Sequence, residues 1–218
     1  MADLFDISPP LDANLAVFPG DTSLTRDILS RREDGDSVTL STLRTTVHLG
    51  AHVDAPVHYE ADAAGIDQTP LDRLLGRCRV VRLGTEAGRR IEAESLAAAL
   101  RVLDDFGGPL PPRVLVATGS YPDPSVWTAE FTALEPAAID WMAGSGVMTV
   151  GIDTPSIDPA ESRDLPAHAA VARHGMTILE GLRLEGVPEG DYELIALPLR
   201  LVGFDGSPVR AVLRSLPD

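Results

Sequence analysis

The sequence contains no lysine, and arginine supplies all 18 of its basic side chains. Schiff-base chemistry and a lysine general base are therefore excluded. Only one cysteine is present, Cys78, so the chain cannot form an internal disulfide. Cys78 enters an apolar, strand-like stretch, which favours a buried core thiol over a catalytic nucleophile.

Long apolar runs and an excess of positive charge are also missing. No apolar stretch reaches the roughly 18 residues that a membrane helix needs. Residues 1–6 lack the basic and apolar regions of a secretory signal, so we expect a cytoplasmic location. The net charge is -15, which disfavours binding to nucleic acid or to an anionic membrane surface. The sequence therefore predicts neither a nucleic-acid nor a membrane partner.

The chain of 218 residues is long enough for one domain with a sizeable core, and we find no internal repeat or linker. We interpret residues 1–218 as a single α/β domain with mixed β-sheets and a few flanking helices. Apolar runs and alternation predict strands at 38–48 (half-buried), 79–83, 113–118, 147–152, 176–183, 192–197 and 209–214. Helix formers and stop signals predict helices at 92–105, 135–143 and 165–174, the last followed by Gly175.

Histidine is scarce, and three of the five histidines lie within eleven residues of one another. They belong to the segment 48–58, which reads His-Leu-Gly-Ala-His-Val-Asp-Ala-Pro-Val-His. Such clustering beside an aspartate favours a metal site over a chance grouping of surface or core histidines. Two neutral imidazoles and one carboxylate suit Zn²⁺, with Mn²⁺ or Fe²⁺ as alternatives.

The spacing within this segment favours an irregular loop and strand over a helix. A helix could present His48 and His52 on one face, but Gly50 and Pro56 disfavour it. In an extended stretch His52 and Asp54 share a face. Gly50 lets the backbone bend so that His48 can reach the same point. Asp54 is the residue to bridge two metals if the site is binuclear, because a carboxylate can bridge and an imidazole cannot.

A second group of candidates lies about 110 residues further along the chain. Glu180 falls in an apolar strand-like run, where a carboxylate is costly unless it is paired or bound to a metal. His168 lies on the predicted helix 165–174 and is a candidate ligand, with an ordinary helix histidine as the alternative. His174 directly precedes Gly175, and an interaction with the C-terminal end of the helix dipole explains it better.

The segment 48–58 resembles the signature of the cyclase-like metal hydrolases, and among them the bacterial kynurenine formamidases. The resemblance covers nearly the whole chain, because further stretches look like the same family. These stretches are 5–11 (Phe-Asp-Ile-Ser-Pro-Pro-Leu), 18–22 (Phe-Pro-Gly-Asp-Thr), 74–80 (Leu-Leu-Gly-Arg-Cys-Arg-Val) and 151–159 (Gly-Ile-Asp-Thr-Pro-Ser-Ile-Asp-Pro). The resemblance implies the cyclase-like α/β fold, assembled as a homodimer or a larger homo-oligomer.

The resemblance also implies a centre of two zinc ions, with manganese as an alternative metal. His48, His52 and Asp54 match the family's first ligand cluster, with Asp54 bridging the two ions. His168 and Glu180 match its distal ligands, with Glu180 shared between the metals.

His58 matches the family's catalytic acid/base, and a third ligand of the first metal is its alternative role. An ordinary histidine pKa of roughly 6.5 suits proton transfer in both directions. Phe18 stands where the family's formamidases usually carry a tryptophan that lines the substrate pocket. A phenylalanine can still stack on an aromatic amine, with less area and no indole donor.

The implied reaction is the hydrolysis of N-formyl-L-kynurenine to L-kynurenine and formate, in tryptophan breakdown, so the expected substrate is a small aromatic formamide. No Gly-x-Ser-x-Gly elbow is present, which removes the serine route to such an amide. One alternative is another hydrolase of the same family, such as an isatin hydrolase. A second alternative is a metal-binding or ligand-binding protein that catalyses no reaction.

Overall fold

A nine-stranded sheet forms the centre of the computed structural model, which describes residues 2–84 and 86–217 except the side chains of 104–107. The helices are α1 (Ala93–Gly107), α2 (Pro136–Gly144) and α3 (Pro166–His174). The strands are β1 (Leu4–Asp6), β2 (Thr25–Ser30), β3 (Leu40–Arg44), β4 (His52–Asp54), β5 (Leu75–Arg82), β6 (Arg90–Ile91), β7 (Arg113–Ala117), β8 (Ala133–Leu134), β9 (Thr149–Ile152), β10 (Thr177–Glu180), β11 (Gly190–Ile195), β12 (Gly206–Pro208) and β13 (Val212–Ser215).

The order of strands in the main sheet is β1-β13-β11-β5-β7-β9-β10-β4-β12. The four central strands β5, β7, β9 and β10 run parallel, and the remaining pairings are antiparallel. Parallel neighbours need crossover connections, and α1, α2 and α3 each lie between two of these strands in the chain. This connectivity confirms the expected α/β class with mixed sheets.

The helices cover one face of the central strands. Val116 on β7, Ile152 on β9, Ile139 on α2 and Val171 on α3 are fully buried in the core between them. Their removal from water supplies the main driving force for docking the helices on the sheet. Strands covered in this way have continuous apolar runs, which is the pattern that predicted them.

The opposite face of the sheet encloses a second core. Val53 on β4 and Leu213 on β13 lie in strands next to opposite edges of the sheet, yet both belong to this core. The sheet is therefore curled. The segment 209–211 links its two edges, because Val209 N donates to Ala51 O and Ile7 N donates to Ala211 O.

The predicted helices and most of the predicted long strands are present, with shifted boundaries. The prediction for 38–48 is wrong in extent and burial, because only Leu40–Arg44 forms a strand and all five of its residues are exposed. This strand pairs with β2 alone, in a hairpin outside the main sheet. Its alternating pattern predicted the strand, but none of the residues that the structure describes forms a layer over either of its faces. Leu29 and Leu43 are consequently 64% and 63% exposed.

Cys78 lies on β5 and is fully buried in the core inside the curl of the sheet. Burial raises the pKa of its thiol to about 12. The prediction of a buried core thiol is confirmed. Such a thiol stays protonated at neutral pH and is a poor nucleophile.

Candidate metal centre

Two neighbouring antiparallel strands bring three of the candidate ligands together. His52 and Asp54 lie at the two ends of β4, and Glu180 at the end of β10 pairs directly with His52. His52 Nε2 is 3.4 Å from Asp54 Oδ1 and 3.5 Å from Glu180 Oε2. All three side chains are buried. The extended backbone expected for His52 and Asp54 is thus present, and it places both on the same face of the sheet.

His48 reaches this group from the loop that precedes β4. Its Nδ1 atom is 3.0 Å from Asp54 Oδ1. Gly50, with φ of 59°, turns the loop, and a Cβ there would press on Leu11 and Pro9. A Cβ at Gly181, the residue after β10, would overlap the carbonyl of Gly50. The two glycines therefore allow the close approach of the backbones that carry the candidate ligands.

His168 comes from the first turn of α3 on the far side of the group. Its Nε2 atom is 3.4 Å from Asp54 Oδ2 and 3.6 Å from Glu180 Oε1. Asp158 holds this histidine in place, because its carboxylate lies 2.8 Å from His168 Nδ1 and accepts the backbone N–H groups of Ala167 and His168. This contact with two buried carboxylates favours a ligand role for His168 over that of an ordinary helix histidine.

In His48 and His52, as in His168, the two ring nitrogens have different partners. His48 Nε2 lies 2.9 Å from Asp205 Oδ2, and His52 Nδ1 lies 2.8 Å from the carbonyl of Gly50. In each ring, as in His168, one nitrogen has an acceptor outside the cluster and the other faces the buried carboxylates. Acceptors placed in this way fix the tautomer and orientation of metal-ligating histidines.

The charges of the group suit a divalent cation. Burial alone would raise the pKa of Asp54, but contacts with His168, His48 and His52 hold it well below its usual range. Within the described residues, Asp54 Oδ2 is a buried oxygen without a hydrogen-bond partner. An ionised carboxylate with an oxygen left over is costly in a protein interior unless a cation is added.

Among the described residues, two sets of ligand atoms could hold a metal ion, with the atoms of each set within 4.8 Å of one another. One set is formed by His48, Asp54 and His58, and the other by His52, Asp54 and Glu180. Asp54 belongs to both sets, as a bridging carboxylate would. The mixture of imidazole and carboxylate donors fits zinc, and it also fits manganese.

His58 differs from the other three histidines of the cluster. It closes a short 3-10 turn that begins at Pro56, and its side chain is 34% exposed. Its Nδ1 atom lies 3.7 Å from Asp205 Oδ2, and its ring centroid is 4.1 Å from that of His48. Burial lowers the pKa of His58 below its ordinary value, against the opposing effect of Asp54. His58 is therefore beside the candidate ligands, at the solvent side.

A cavity of about 410 Å³ opens onto this centre. Its volume is in the range of about 300–1,000 Å³ that small-molecule sites occupy. His48, His52 and His168 line one part of it, and Phe18 and Trp127 line another. The rings of Phe18 and Trp127 contact each other edge to face, with centroids 4.5 Å apart. Phe18 therefore lies in the cavity where the sequence predicted a substrate contact.

Three residues of the site were not predicted from the sequence. Asp158 and Asp205 hold histidines of the cluster, and Trp127 supplies an aromatic wall. Asp158 and Asp205 are 10 and 157 positions from their histidines, so no local spacing indicates the contacts. His174 lies outside the centre, at the end of α3, where Nε2 is 2.8 Å from Asp140 Oδ1.

Comparison of the chain with known proteins identifies its family. The model of the family Cyclase, described as "Putative cyclase", matches residues 5–159. The chain belongs to the cyclase family. A relative named kynurenine formamidase, from Bordetella pertussis, is 49% identical over 216 residues, which cover 99% of this chain and 100% of that protein. The kynurenine formamidase of Bordetella bronchiseptica has the same identity and coverage.

Solved structures agree with the cyclase-family assignment. A potential metal-dependent hydrolase with cyclase activity has a TM-score of 0.81 and 28% identity, with full coverage of both chains. An isatin hydrolase bound to a product analogue has a TM-score of 0.82 at 20% identity, covering 100% of this chain and 93% of that one. The second likeness shows the shared fold. None of the helices in the described part of this cyclase-family chain is long and apolar enough to span a membrane.

Proposed function

We propose that this protein hydrolyses N-formyl-L-kynurenine to L-kynurenine and formate at a centre of two zinc ions. The observation that carries the proposal is the 49% identity with curated kynurenine formamidases over the whole of their length. The buried cluster of histidine and carboxylate side chains supports the metal-dependent part of it.

His48, His52, Asp54, His168 and Glu180 are the proposed ligands, with Asp54 and Glu180 shared between the two ions. Their inward ring nitrogens and buried carboxylates support this assignment. Zinc bound there would polarise a carbonyl oxygen and lower the pKa of water.

His58 is the proposed general acid and base. Hydrolysis of an aryl formamide requires that water lose a proton and that the departing aryl amine gain one. His58 is close to the cluster and more exposed than its ligands, so it can exchange a proton with water and with the amine nitrogen. Asp205, 3.7 Å from Nδ1, can stabilise the imidazolium form between these two transfers.

Phe18 and Trp127 are the proposed wall for the aryl ring of the substrate. Aromatic rings favour edge-to-face and offset contacts with one another, and both residues line the cavity that leads to the cluster. Trp127 can supply the indole surface that Phe18 lacks.

We propose a homodimer or larger homo-oligomer, formed through the hairpin of β2 and β3. The hairpin exposes apolar side chains that no other part of the described chain covers, including Leu29 and Leu43. Exposed apolar surface of this kind is typical of an interface.

A kinetic assay on N-formyl-L-kynurenine tests the proposed function. We expect turnover by the zinc-loaded protein, loss of activity after treatment with a chelator, and recovery when zinc is returned. Manganese reconstitution in parallel identifies the better metal. Zinc bound without hydrolysis of any aryl formamide would favour the binding protein over the enzyme.

The second candidate substrate is isatin, because this chain shares its fold with an isatin hydrolase. Isatin is a cyclic amide, and its hydrolysis would use the same metal chemistry in a different pocket. A higher kcat/KM on isatin than on N-formyl-L-kynurenine would replace the proposed reaction with this one.

A further inference from the structure

One arginine is among the described residues that line the cavity. Among the described residues that surround it, Arg183 is the only arginine, whereas Asp21, Asp153 and Asp205 are also at its walls. The protein as a whole carries a net charge of -15. An anionic group entering the cavity would therefore meet repulsion except near Arg183 or the metal centre.

The structure holds Arg183 firmly. Its backbone N–H donates to Ile7 O, and its side-chain Nη1 donates to Pro122 O at 2.9 Å. Its Nη2 lies 3.3 Å from a carboxylate oxygen of Glu185, a side chain that is 83% exposed. A guanidinium has five N–H donors in a fixed plane, so these contacts leave donors for a further acceptor. A positioned arginine with spare donors suits a carboxylate.

A hydrogen bond connects Arg183 to the segment that carries the aromatic wall. The carbonyl that fixes it belongs to Pro122, in the segment 121–127 that ends with Trp127. Trp127 contacts Phe18, and Arg183, Trp127 and Phe18 are all among the residues that line the cavity. The segment 121–127 therefore joins the arginine to the proposed binding wall for the aryl ring.

The backbone distance between Arg183 and the candidate ligand Glu180 is compatible with the length of an amino-acid substrate. Arg183 follows the candidate ligand Glu180 by three residues, which span at most about 10 Å. In N-formyl-L-kynurenine, seven covalent bonds separate the formyl carbon from the α-carboxylate carbon, a span of roughly 8 Å.

We propose that Arg183 binds the α-carboxylate of the substrate while the formamide lies at the metal centre. This inference rests on the proposed function and extends it, because it makes an α-amino acid head group part of what the site recognises. The reacting atoms are distant from Arg183, so its contribution is to binding and orientation of the substrate. The enzyme would then discriminate against aryl formamides that lack the carboxylate.

Two substrates that differ only in this group test the proposal. N-formylkynurenamine has the same aryl formamide, ketone and amine as N-formyl-L-kynurenine and lacks only the carboxylate. For Arg183→Met we expect kcat/KM on N-formyl-L-kynurenine to fall by about 10- to 100-fold, the scale of a lost charge-assisted hydrogen bond. We expect less than about 2-fold change on N-formylkynurenamine, and partial recovery of the acid substrate with Arg183→Lys.

Activity on N-formylkynurenamine also reports whether the Arg183→Met variant is folded. Arg173→Met is the matched control, because Arg173 is an exposed arginine on α3 that pairs with Asp140. It should leave both activities unchanged. Equal losses on both substrates would overturn the proposal in favour of a structural role for Arg183, and so would no loss on either. If the wild-type zinc enzyme hydrolyses neither substrate, the proposed function itself fails.

Discussion

Four histidines of one cluster have different surroundings, and these surroundings support the different roles proposed for them. His48, His52 and His168 each have one ring nitrogen at an acceptor outside the cluster and the other at a buried carboxylate. His58 Nδ1 lies farther from its acceptor, 3.7 Å from Asp205 Oδ2, and the side chain remains partly exposed. A ligand must be held rigidly, whereas a proton carrier must reach both water and substrate.

His58→Ala should therefore separate turnover from metal binding. We expect the variant to keep the metal content of the wild type and to lose about 10²- to 10⁴-fold in kcat, the usual contribution of general acid–base catalysis. Metal analysis of the purified protein, alongside the formamidase assay, measures both.

The outcome against this assignment is a loss of metal in proportion to the loss of activity. His58 would then be a third ligand with His48 and Asp54, an arrangement that the positions of the three side chains permit. His174→Ala is the matched control, since His174 lies at the end of α3 and pairs with Asp140. It should change neither the metal content nor kcat.

For individual residues of the site, the sequence predicted those that are close together in the chain or that break a local pattern. The segment 48–58 was found by its density of histidines, and Glu180 by its charge in an apolar strand. Asp205 and Trp127 carry no such sign, because an aspartate in a turn and a tryptophan in a loop are ordinary. Only the folded chain places them beside the cluster and the cavity.

Among the secondary-structure elements, helix α3 depends on a residue outside it. Leu165, which precedes the helix, makes no side-chain cap, and Asp158 accepts the N–H groups of Ala167 and His168 instead. The same carboxylate orients the His168 ring. Asp158 therefore fixes both the start of the helix and the orientation of the candidate ligand His168.

Asp158→Asn should weaken both functions of this carboxylate. We expect zinc affinity to fall by about 10- to 100-fold, as for other residues that orient a metal-ligating histidine. We also expect a loss of about 1 kcal/mol in the free energy of unfolding of the metal-free protein, the usual effect of a lost helix cap. Competition with a chromophoric chelator and urea unfolding measure the two quantities.

Asp140→Asn is the control for this experiment, because Asp140 contacts α3 at its other end and away from the cluster. It should leave zinc affinity at the wild-type value. Unchanged zinc affinity in Asp158→Asn would show that His168 is not oriented by Asp158 or is not a ligand.

The hairpin of β2 and β3 connects two walls of the cavity. Phe18 and Asp21 precede it in the chain, and Thr46 and His48 follow it. If the hairpin docks on a second copy of the chain, both walls are held by that contact. Assembly and catalysis would then be linked through this element.

The double variant Leu29→Ser, Leu43→Ser should therefore shift the protein from oligomer to monomer. Light scattering after size-exclusion chromatography, over a range of protein concentrations, measures the mass. Val102→Ser is the control, since Val102 on α1 is 61% exposed and outside the hairpin. A wild-type protein that is monomeric at all concentrations would contradict the proposed assembly, as would a double variant with unchanged mass.

Local patterns predicted the elements better than they predicted what covers them. The apolar runs of the central strands and the stop signals of the helices gave those elements within a few residues. The stretch 38–48 has the alternation of a half-buried strand, yet β3 is fully exposed in this chain. Alternating apolar and polar residues show that the two faces of a strand differ in chemistry. They do not show whether another part of the same chain covers the apolar face.

For the molecule as a whole, the cluster couples stability to pH and metal. Without metal, burial lowers the pKa of His52 and His168, but contacts with Asp54, Glu180 and Asp158 outweigh it and raise both to about 10. A folded-state pKa above the unfolded value of about 6.5 adds stability that is complete below that pH. This stability is lost as pH rises through the folded-state pKa.

The melting temperature of the metal-free protein should therefore fall between about pH 6.5 and pH 10. The zinc-loaded protein should melt at a higher temperature throughout this range, because zinc at the proposed site would bind the folded cluster and displace its protons. Thermal melts of chelated and zinc-loaded samples across this range test both statements. The absence of lysine removes the most common competing titration near pH 10. A flat or rising profile for the metal-free protein would contradict the protonated cluster.

The close contact between Gly50 and Gly181 limits which substitutions this enzyme can accept. Neither residue offers a side chain to the chemistry, yet a methyl group at Gly181 would push the backbone after Glu180 away from that before His52. In a saturation screen for formamidase activity, both positions should tolerate as few replacements as the ligands do. Libraries that seek new aryl substrates should diversify Phe18 and Trp127 and keep these two glycines fixed.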